Sequence, residues 1–531
     1  MDHGGATDIF TGGSNYDRDF TDASSTEWGS EEALTFKGAG EALDTHRGLR
    51  FTQVIVGIPS QGRAMRKGLP RINSRRWVRA LGLATATALL LTACGAGTGS
   101  KSTATGANAT GSFDWKKYSG TSLTVMMDEH PWTTGMKANL DAFTKATGIK
   151  VDVQAYGEDI YFDKMNQAIR TATSPDVFMT GLDFTVATQK DAGLLESLTP
   201  YINNPSLTSP DYNLADFPSG VLAPAQFPAA SGATELYGIP ISTECYILFY
   251  NKDLVAKYLG GKVPTTMPEL IADAQLITKA GKGEVFGSLV RGVRASGIVD
   301  TPTGMVFNEW PSTAGTISLP YNVWFDGAWN KPRLTEPAIA KGLNDYASLI
   351  AAGPPNRFSL DWPDANTLFT QGKAAFYVDA SVFGPGFEDK AKSTIAGKVG
   401  YTPLPTGAVG GGTGLWSWGL GIASASKHKE AAWLFTQWFT NSQSTATIGA
   451  FTGGPPRQSA ADLPAFNSKL NIDYVNTVKT AMSTARPTAV IKSDAEPILL
   501  VIVDAVIAMA NGKNPTQVMK DSQAKLQALA K

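Results

Sequence analysis

The chain has 531 residues, 43% hydrophobic and 18% charged, enough for about two to four domains whose cores need no disulfide scaffold. A net charge of −1 argues against nucleic acid as a partner, which asks for a basic face, and four histidines with two cysteines exclude the usual Cys/His zinc sites. Aromatic residues are plentiful, with 24 Phe, 15 Tyr and 12 Trp, so where the rings sit becomes the main question.

Residues 1–64 carry ten acidic and five basic side chains with little periodicity, and are expected to be a disordered stretch upstream of the true start, Met65. From Met65 to Phe113 there is no acidic residue. A basic block from Arg66 to Arg79 leads into an uncharged run of 12 residues, Ala80–Leu91, too short for a bilayer span and the right length for the core of a signal peptide over 65–93. Leu91-Thr-Ala-Cys94, followed by Gly95, resembles the lipobox of bacterial lipoproteins, which implies lipidation of Cys94 and anchoring to the membrane. Arg75-Arg76 resembles a twin-arginine signal and leaves that export route open beside the general one. From Cys94 onward the net charge is −2. Gly, Ser, Thr, Ala and Asn dominate as far as Ser112, and a flexible tether is expected over 94–118. Cys245 has no partner once Cys94 is lipidated and reads as a small buried residue.

The body then alternates strands and helices. Ser122–Met127 predicts a buried strand; Met136, Leu140 and Phe143 mark one helix that Gly148 stops. Lys150–Gln154 alternates as a strand does, a helix follows over about Glu158–Ala172, and Asp176–Thr180 is the next strand. This β-α-β-α-β order predicts a mostly parallel sheet covered by helices. A second series begins at Tyr246–Tyr250, and Thr266-Met-Pro-Glu269 is a capping box opening a helix. Ala374–Val378 and Trp416–Ala423 read as strands, Lys427–Thr440 as an amphipathic helix, and Ile498–Val503 as part of a core helix. Two α/β lobes fit better than one large sheet.

Leu236-Tyr-Gly-Ile-Pro240, Tyr246-Ile-Leu-Phe-Tyr-Asn-Lys-Asp253 and Val263-Pro-Thr-Thr-Met-Pro-Glu-Leu270 resemble, in order and spacing, the sugar-type solute-binding proteins of bacterial ABC importers. Ser174–Phe178, Gly372–Phe376, Gly400–Pro405, Lys429–Trp433 and Gly454–Arg457 extend the likeness, and Leu415-Trp-Ser-Trp-Gly-Leu420 resembles the polyol- and oligosaccharide-binding members. The resemblance implies the class II periplasmic-binding-protein fold, two α/β lobes joined by hinge strands around a ligand cleft. It places the crossings near Ser242–Tyr246, Val378–Ser381 and Gln437–Asn441, giving lobe 1 as 119–242 and 381–437 and lobe 2 as 243–380 and 438–531. It implies a monomer without cofactor, held by its lipid on the outer face of the cell membrane, that delivers a neutral saccharide or polyol to permease subunits driven by a separate ATPase.

A neutral sugar offers apolar faces and a ring of hydroxyls, matched by aromatic rings and by carboxylates or amides. Trp433 and Trp438 sit on a core helix and are set aside. Trp132, in a loop with Asp128, Glu129 and His130, and Asp183 follow the carboxyl ends of strands, where α/β sheets bind ligands. Trp416 and Trp418 follow the Gly-rich run 410–414, and Trp324 lies in a second-lobe loop. By resemblance Glu244 matches a hinge-side glutamate that contacts sugar, and Asp379 sits at the second crossing. Arg457, after Pro455-Pro456, is a further candidate for hydroxyl groups. No Walker loop, Gly-x-Ser-x-Gly elbow or His-x-x-x-His pair is present, which disfavours an enzyme. A secreted glycoside hydrolase, needing only two carboxylates, stays open, as does a class II binder of another solute.

Overall fold

The computed structural model describes residues 112–171, 173–229, 231–310, 323–326, 328–487 and 495–530. The upstream stretch 1–64, the signal peptide and Cys94 lie outside the described residues.

β1 (Ser122–Asp128) is flanked by β2 (Lys150–Tyr156) and β3 (Val177–Gly181), both parallel to it. Parallel strands need crossovers, and helices supply them. The first crossover is two helices, Pro131–Ala138 and Leu140–Thr147, where one was expected. Asn139 separates them: its side-chain amide donates to the Gly135 carbonyl at 2.8 Å, competing with the helical ladder. Gly148 ends the second helix at φ 72°, and a side chain there would run into Ser119. The second crossover is the helix Glu158–Ala168.

β4 (Gln226–Pro228) and β5 (Thr234–Leu236) form a separate ribbon. There follow β6 (Ile239–Asn251), β7 (Phe286–Leu289), β8 (Ala374–Ala380), β9 (Val399–Pro403), β10 (Thr413–Ile422) and β11 (Ala485–Pro487). The strand order is β2-β1-β3-β10-β6-β8-β7, with β11 on β10 and β9 on β6. The expected capping box is present: the Thr266 hydroxyl accepts from the Glu269 N–H, and the Glu269 carboxylate accepts from the Thr266 N–H. No described helix is long and apolar enough to cross a membrane.

β6 strings two lobes together. Its first half pairs with β10, ending at Leu415↔Cys245, and its second half pairs with β8 from Tyr246↔Ala380 onward. The first crossing therefore lies within the expected Ser242–Tyr246. The second does not lie at Val378–Ser381. β9 still pairs with the far half of β6, at Tyr250↔Gly400, so the chain stays in lobe 2 beyond residue 381 and returns between β9 and β10. The third crossing is later than Gln437–Asn441. The helix Ser442–Thr452 packs on Pro131–Ala138, and Arg457 is held by lobe 1 carbonyls, so this stretch remains with lobe 1. The chain reaches lobe 2 with the helix Ile472–Met482, which packs on β9 and β6, and the helix Ala495–Ala510 then packs there on the helix Pro337–Ala351.

Of the stretch 94–118, residues 113–118 are packed on the body. Phe113 meets Trp115 edge-on at 4.8 Å, Trp115 meets Trp438 edge-on at 5.1 Å, and the Tyr118 hydroxyl donates to Glu430. Three aromatic side chains thus seat this stretch on the helix Lys429–Phe439, because their burial there outweighs the freedom of a tether. Cys245 is fully buried, and burial pushes its thiol up to about 12.

Candidate functional site

The carboxyl ends of β1 and β2, the middle of β6, the end of β7 and the start of β10 converge between the lobes. After β1, His130 caps the helix Pro131–Ala138: its Nδ1 accepts the Trp132 backbone N–H at 3.0 Å. A ring nitrogen that accepts carries a lone pair, so the tautomer that fits this contact has its proton on Nε2. Nε2–H donates to Glu244 Oε1 at 2.9 Å, and the Ser242 hydroxyl donates to the same oxygen at 3.1 Å.

Glu244 is directly opposite Trp416 in the β6–β10 ladder, and Ser242 is opposite Trp418. Opposed residues share a face, and so do residues two apart, which puts Glu244, Tyr246, Trp416 and Trp418 together. Gly181 on β3 makes room for the Trp416 indole; a Cβ there would lie 3.0 Å from the ring. Trp418 stacks on Phe162 with centroids 5.5 Å apart and planes at 11°. The Trp416 Nε1–H is buried and has no hydrogen-bond partner.

From lobe 2 comes Arg291, just past β7. Its Nε and Nη2 grip the Asp379 carboxylate at 2.8–3.1 Å in a bidentate pair, and Nη1 reaches Glu158 Oε1 of lobe 1 at 3.4 Å. Asp379 also accepts from the Tyr377 hydroxyl at 2.9 Å and the Ala380 N–H at 2.7 Å. The Tyr246 hydroxyl donates to Asp300 at 3.2 Å. Burial, with repulsion from Asp361, Glu244 and Asp379, lifts Glu158 to about 7 although Arg291 pulls it down. Burial also raises Asp128, both of whose oxygens lack hydrogen-bond partners, and Asp361.

His130, Glu158, Trp416 and Trp418 from lobe 1, Glu244 and Tyr246 from the shared strand, and Arg291, Gly297, Asp300 and Phe383 from lobe 2 surround one small space. It measures 10 Å³, room for about one water, so the lobes meet here. Larger cavities flank it: one of 360 Å³ sharing Glu158 and Gly297, and one of 610 Å³ sharing His130 and Phe383.

Of the eight residues expected to bind ligand, the structure brings Glu244, Trp416 and Trp418 to this space and places five elsewhere. Trp132 is 2% exposed and packs edge-on against Phe439, because capping by His130 turns it into the core. Asp183 is fully buried and lines none of the described cavities; burial lifts its carboxyl to about 7, and Ser417, which faces it, draws it back only in part. Trp324 is fully buried. Asp379 lies behind Arg291 and positions it. Arg457 is consumed by the carbonyls of Thr440 and Asn213, by Asp216, and by the rings of Tyr212 and Phe217. The sequence reading missed Arg291, Glu158, Asp300, Tyr246 and Phe383. Glu158 and Arg291 follow strand ends, the signal already applied to Asp183.

The sequence model of the bacterial extracellular solute-binding proteins matches residues 129–446. The erythritol/L-threitol-binding protein of Mycolicibacterium smegmatis is 28% identical over 67% of this chain and 74% of its own length. The mannitol-binding protein of Pseudomonas aeruginosa is 30% identical over 43% of this chain and half of its own length. Among solved structures, an ABC transporter solute-binding protein from Agrobacterium radiobacter K84 in complex with ribitol superposes with a TM-score of 0.65 at 23% identity, over 77% of this chain and 99% of that one. One from Agrobacterium vitis with bound D-mannitol gives 0.62 at 24%, over 77% and 98%. The two structural likenesses speak for the fold. The family is one of extracellular binding proteins, and these relatives and neighbours are binding proteins. By the match over residues 129–446, and by the two lobes strung on β6, the chain belongs to the bacterial extracellular solute-binding proteins.

Proposed function

We propose that this chain is the receptor of an ABC importer: it captures a neutral polyol or small saccharide by lobe closure and hands it to a membrane permease driven by a separate ATPase. It acts without catalysis, as a monomer, anchored through a lipid on Cys94. The observation that carries this reading is the meeting of Glu244, Trp416 and Trp418 with Arg291 and Asp300 in one space between the lobes. Carboxylates accept from hydroxyls, the guanidinium donates to them, and indoles cover the apolar C–H faces. The sugar alcohols named for two relatives point the same way. A ligand touching both lobes shifts the open–closed equilibrium by its extra affinity for the closed form.

The test is a thermal-shift panel of alditols and saccharides, followed by calorimetric titration. A binder raises the melting temperature by favouring the native state. Micromolar affinity, about −8 kcal/mol, is expected of the best one. A panel in which no polyol or saccharide binds overturns the reading. One observation favours a second reading: Glu158, at about 7 beside Glu244 and Asp300, has the raised carboxyl that a glycosidase uses as its acid. Steady release of a chromophore from an aryl glycoside, lost in Glu158→Gln, would support that enzyme instead.

A further inference from the structure

The central space has two unlike flanks. The 360 Å³ cavity beside Glu158 also carries the carboxylates of Asp159, Asp163 and Glu496. The 610 Å³ cavity on the other side is reached past His130 and Phe383, which border both it and the central space, and its wall is rich in apolar groups. Trp362 stacks on Phe383 there, with centroids 5.1 Å apart and planes at 18°. Phe387 adds to that wall from lobe 2, and Pro131 and Phe451 close it from lobe 1. Phe451 is 37% exposed, the one exposed phenylalanine among the described residues. Several polar side chains in the wall are already engaged. The Thr367 and Thr370 hydroxyls donate to the carbonyls of Pro363 and Asn366, and Lys392 pairs with Asp389 at 3.8 Å. Cavities of about 300–1,000 Å³ walled mostly by apolar and aromatic side chains are where proteins bury small molecules. An exposed ring in such a wall gains free energy when something apolar covers it.

We infer that the cleft takes a glycoside whose aglycone is an aryl ring: the sugar part occupies the central space, and the aglycone fills the 610 Å³ cavity between Phe451 and the Trp362–Phe383 pair. The central space has room for about one water, so a ligand held there parts the lobes, while a ring attached to it finds free volume next door. An apolar ring avoids the carboxylate-rich flank, where it would strip water from charges, and gains on the other flank by covering aromatic faces. A second sugar ring would bring a rim of hydroxyls to a wall whose threonines, lysine and aspartate are already engaged. The aglycone touches lobe 1 through Phe451 and lobe 2 through Trp362, so it adds to the preference for the closed form. The inference rests on the reading of the cleft as a site for a neutral saccharide or polyol.

The test titrates the full chain calorimetrically with the methyl and phenyl thioglycosides of glucose, galactose, mannose and xylose in both anomers, and with maltose and cellobiose. Sulfur in the linkage makes the glycoside probes resistant to hydrolysis. For the sugar that fits the central space, the phenyl glycoside is expected to bind about tenfold or more tightly than its methyl partner, the gain of burying a phenyl face among aromatic rings. Phe451→Ser should bring the phenyl-to-methyl ratio toward one and Phe451→Leu should keep most of it, whereas a merely structural defect would weaken both ligands alike. The inference is overturned if no phenyl glycoside binds more tightly than its methyl partner, if a disaccharide gains as much over the methyl glycoside as phenyl does, or if the ratio is unmoved in Phe451→Ser. In each case alditols or saccharides that bind in the thermal-shift panel leave the polyol reading standing. If none of those binds either, both fall.

Discussion

Glu244 on β6 and Trp416 on β10 sit directly opposite one another where β6 leaves one lobe for the other, so the hinge strand brings a carboxylate to the cleft and its neighbour in lobe 1 brings a ring. Glu244 is the better probe of the two for ligand contact, because its amide analogue keeps the hydrogen bond from His130. Glu244→Gln should fold as the parent does and bind the identified ligand about tenfold more weakly, since hydrogen bonds to a charged group are the strong ones. Titration with melting curves as control decides it; unchanged affinity removes Glu244 from the ligand contacts.

Trp416→Phe deletes a buried N–H that has no partner while keeping a ring in place. The unliganded variant should be as stable as the parent to within about 1 kcal/mol, because the indole volume it loses is offset by removing an unsatisfied donor. Ligand affinity should nonetheless fall about fivefold or more if that donor serves a ligand hydroxyl. A variant that keeps full affinity assigns Trp416 to packing alone.

Asp379→Ala leaves Arg291 buried with its main partner gone and also strips Tyr377 and the Ala380 N–H of an acceptor. Breaking one side of such a pair costs about 3–5 kcal/mol. Urea unfolding should register the loss in the midpoint; a change under about 1 kcal/mol would show that the pair is not buried as described.

Asp183 sets a pH dependence of stability. Its folded-state value, about 7, lies above the ordinary carboxyl value of 3.8, so the native protein holds this proton where the unfolded chain has released it. The resulting stability is complete below the unfolded value, falls as pH rises from about 4 to about 7, and is gone above that. Asp183→Asn should match the parent near pH 4 and exceed it at pH 8 by up to about 4 kcal/mol. Glu158 titrates in the same window, and comparing the two proteins cancels it. Parallel pH profiles for parent and variant would refute the assignment.

Lipidation at Cys94 predicts a diacylated N-terminal cysteine in the membrane fraction, and release of the Cys94→Ala protein from it. Mass spectrometry that finds an intact peptide spanning Ala93 and Cys94 as the main species rules the anchor out.

The fold was legible because its signals are local. Apolar runs such as Ser122–Met127 and the Thr266–Glu269 box each determine their own element, and motif order supplied the lobes. The second crossing was misjudged because β8 and β9 both run along the far half of β6, and nothing near Val378 says which of them leaves the lobe. The site was half legible for a related reason. Residues on β6 and β10 share a face by alternation, so Glu244 directly implies Trp416 and Trp418. Arg291 enters from the other lobe, and its nearness to Glu158 is a property of tertiary packing with no trace in local sequence. Trp132 and Asp183 misled because position after a strand says where a side chain starts, while capping and packing decide which way it turns.

The aromatic seat of Phe113, Trp115 and Tyr118 on the helix Lys429–Phe439 has a mechanical side. A pull applied at Phe113 enters the body through lobe 1 and crosses no hinge strand. Lobe 1 is then the fixed jaw and lobe 2 the swinging one. A pull at that point does no work on closure, so a receptor tied to a surface and one cut free should respond to the same ligand concentration.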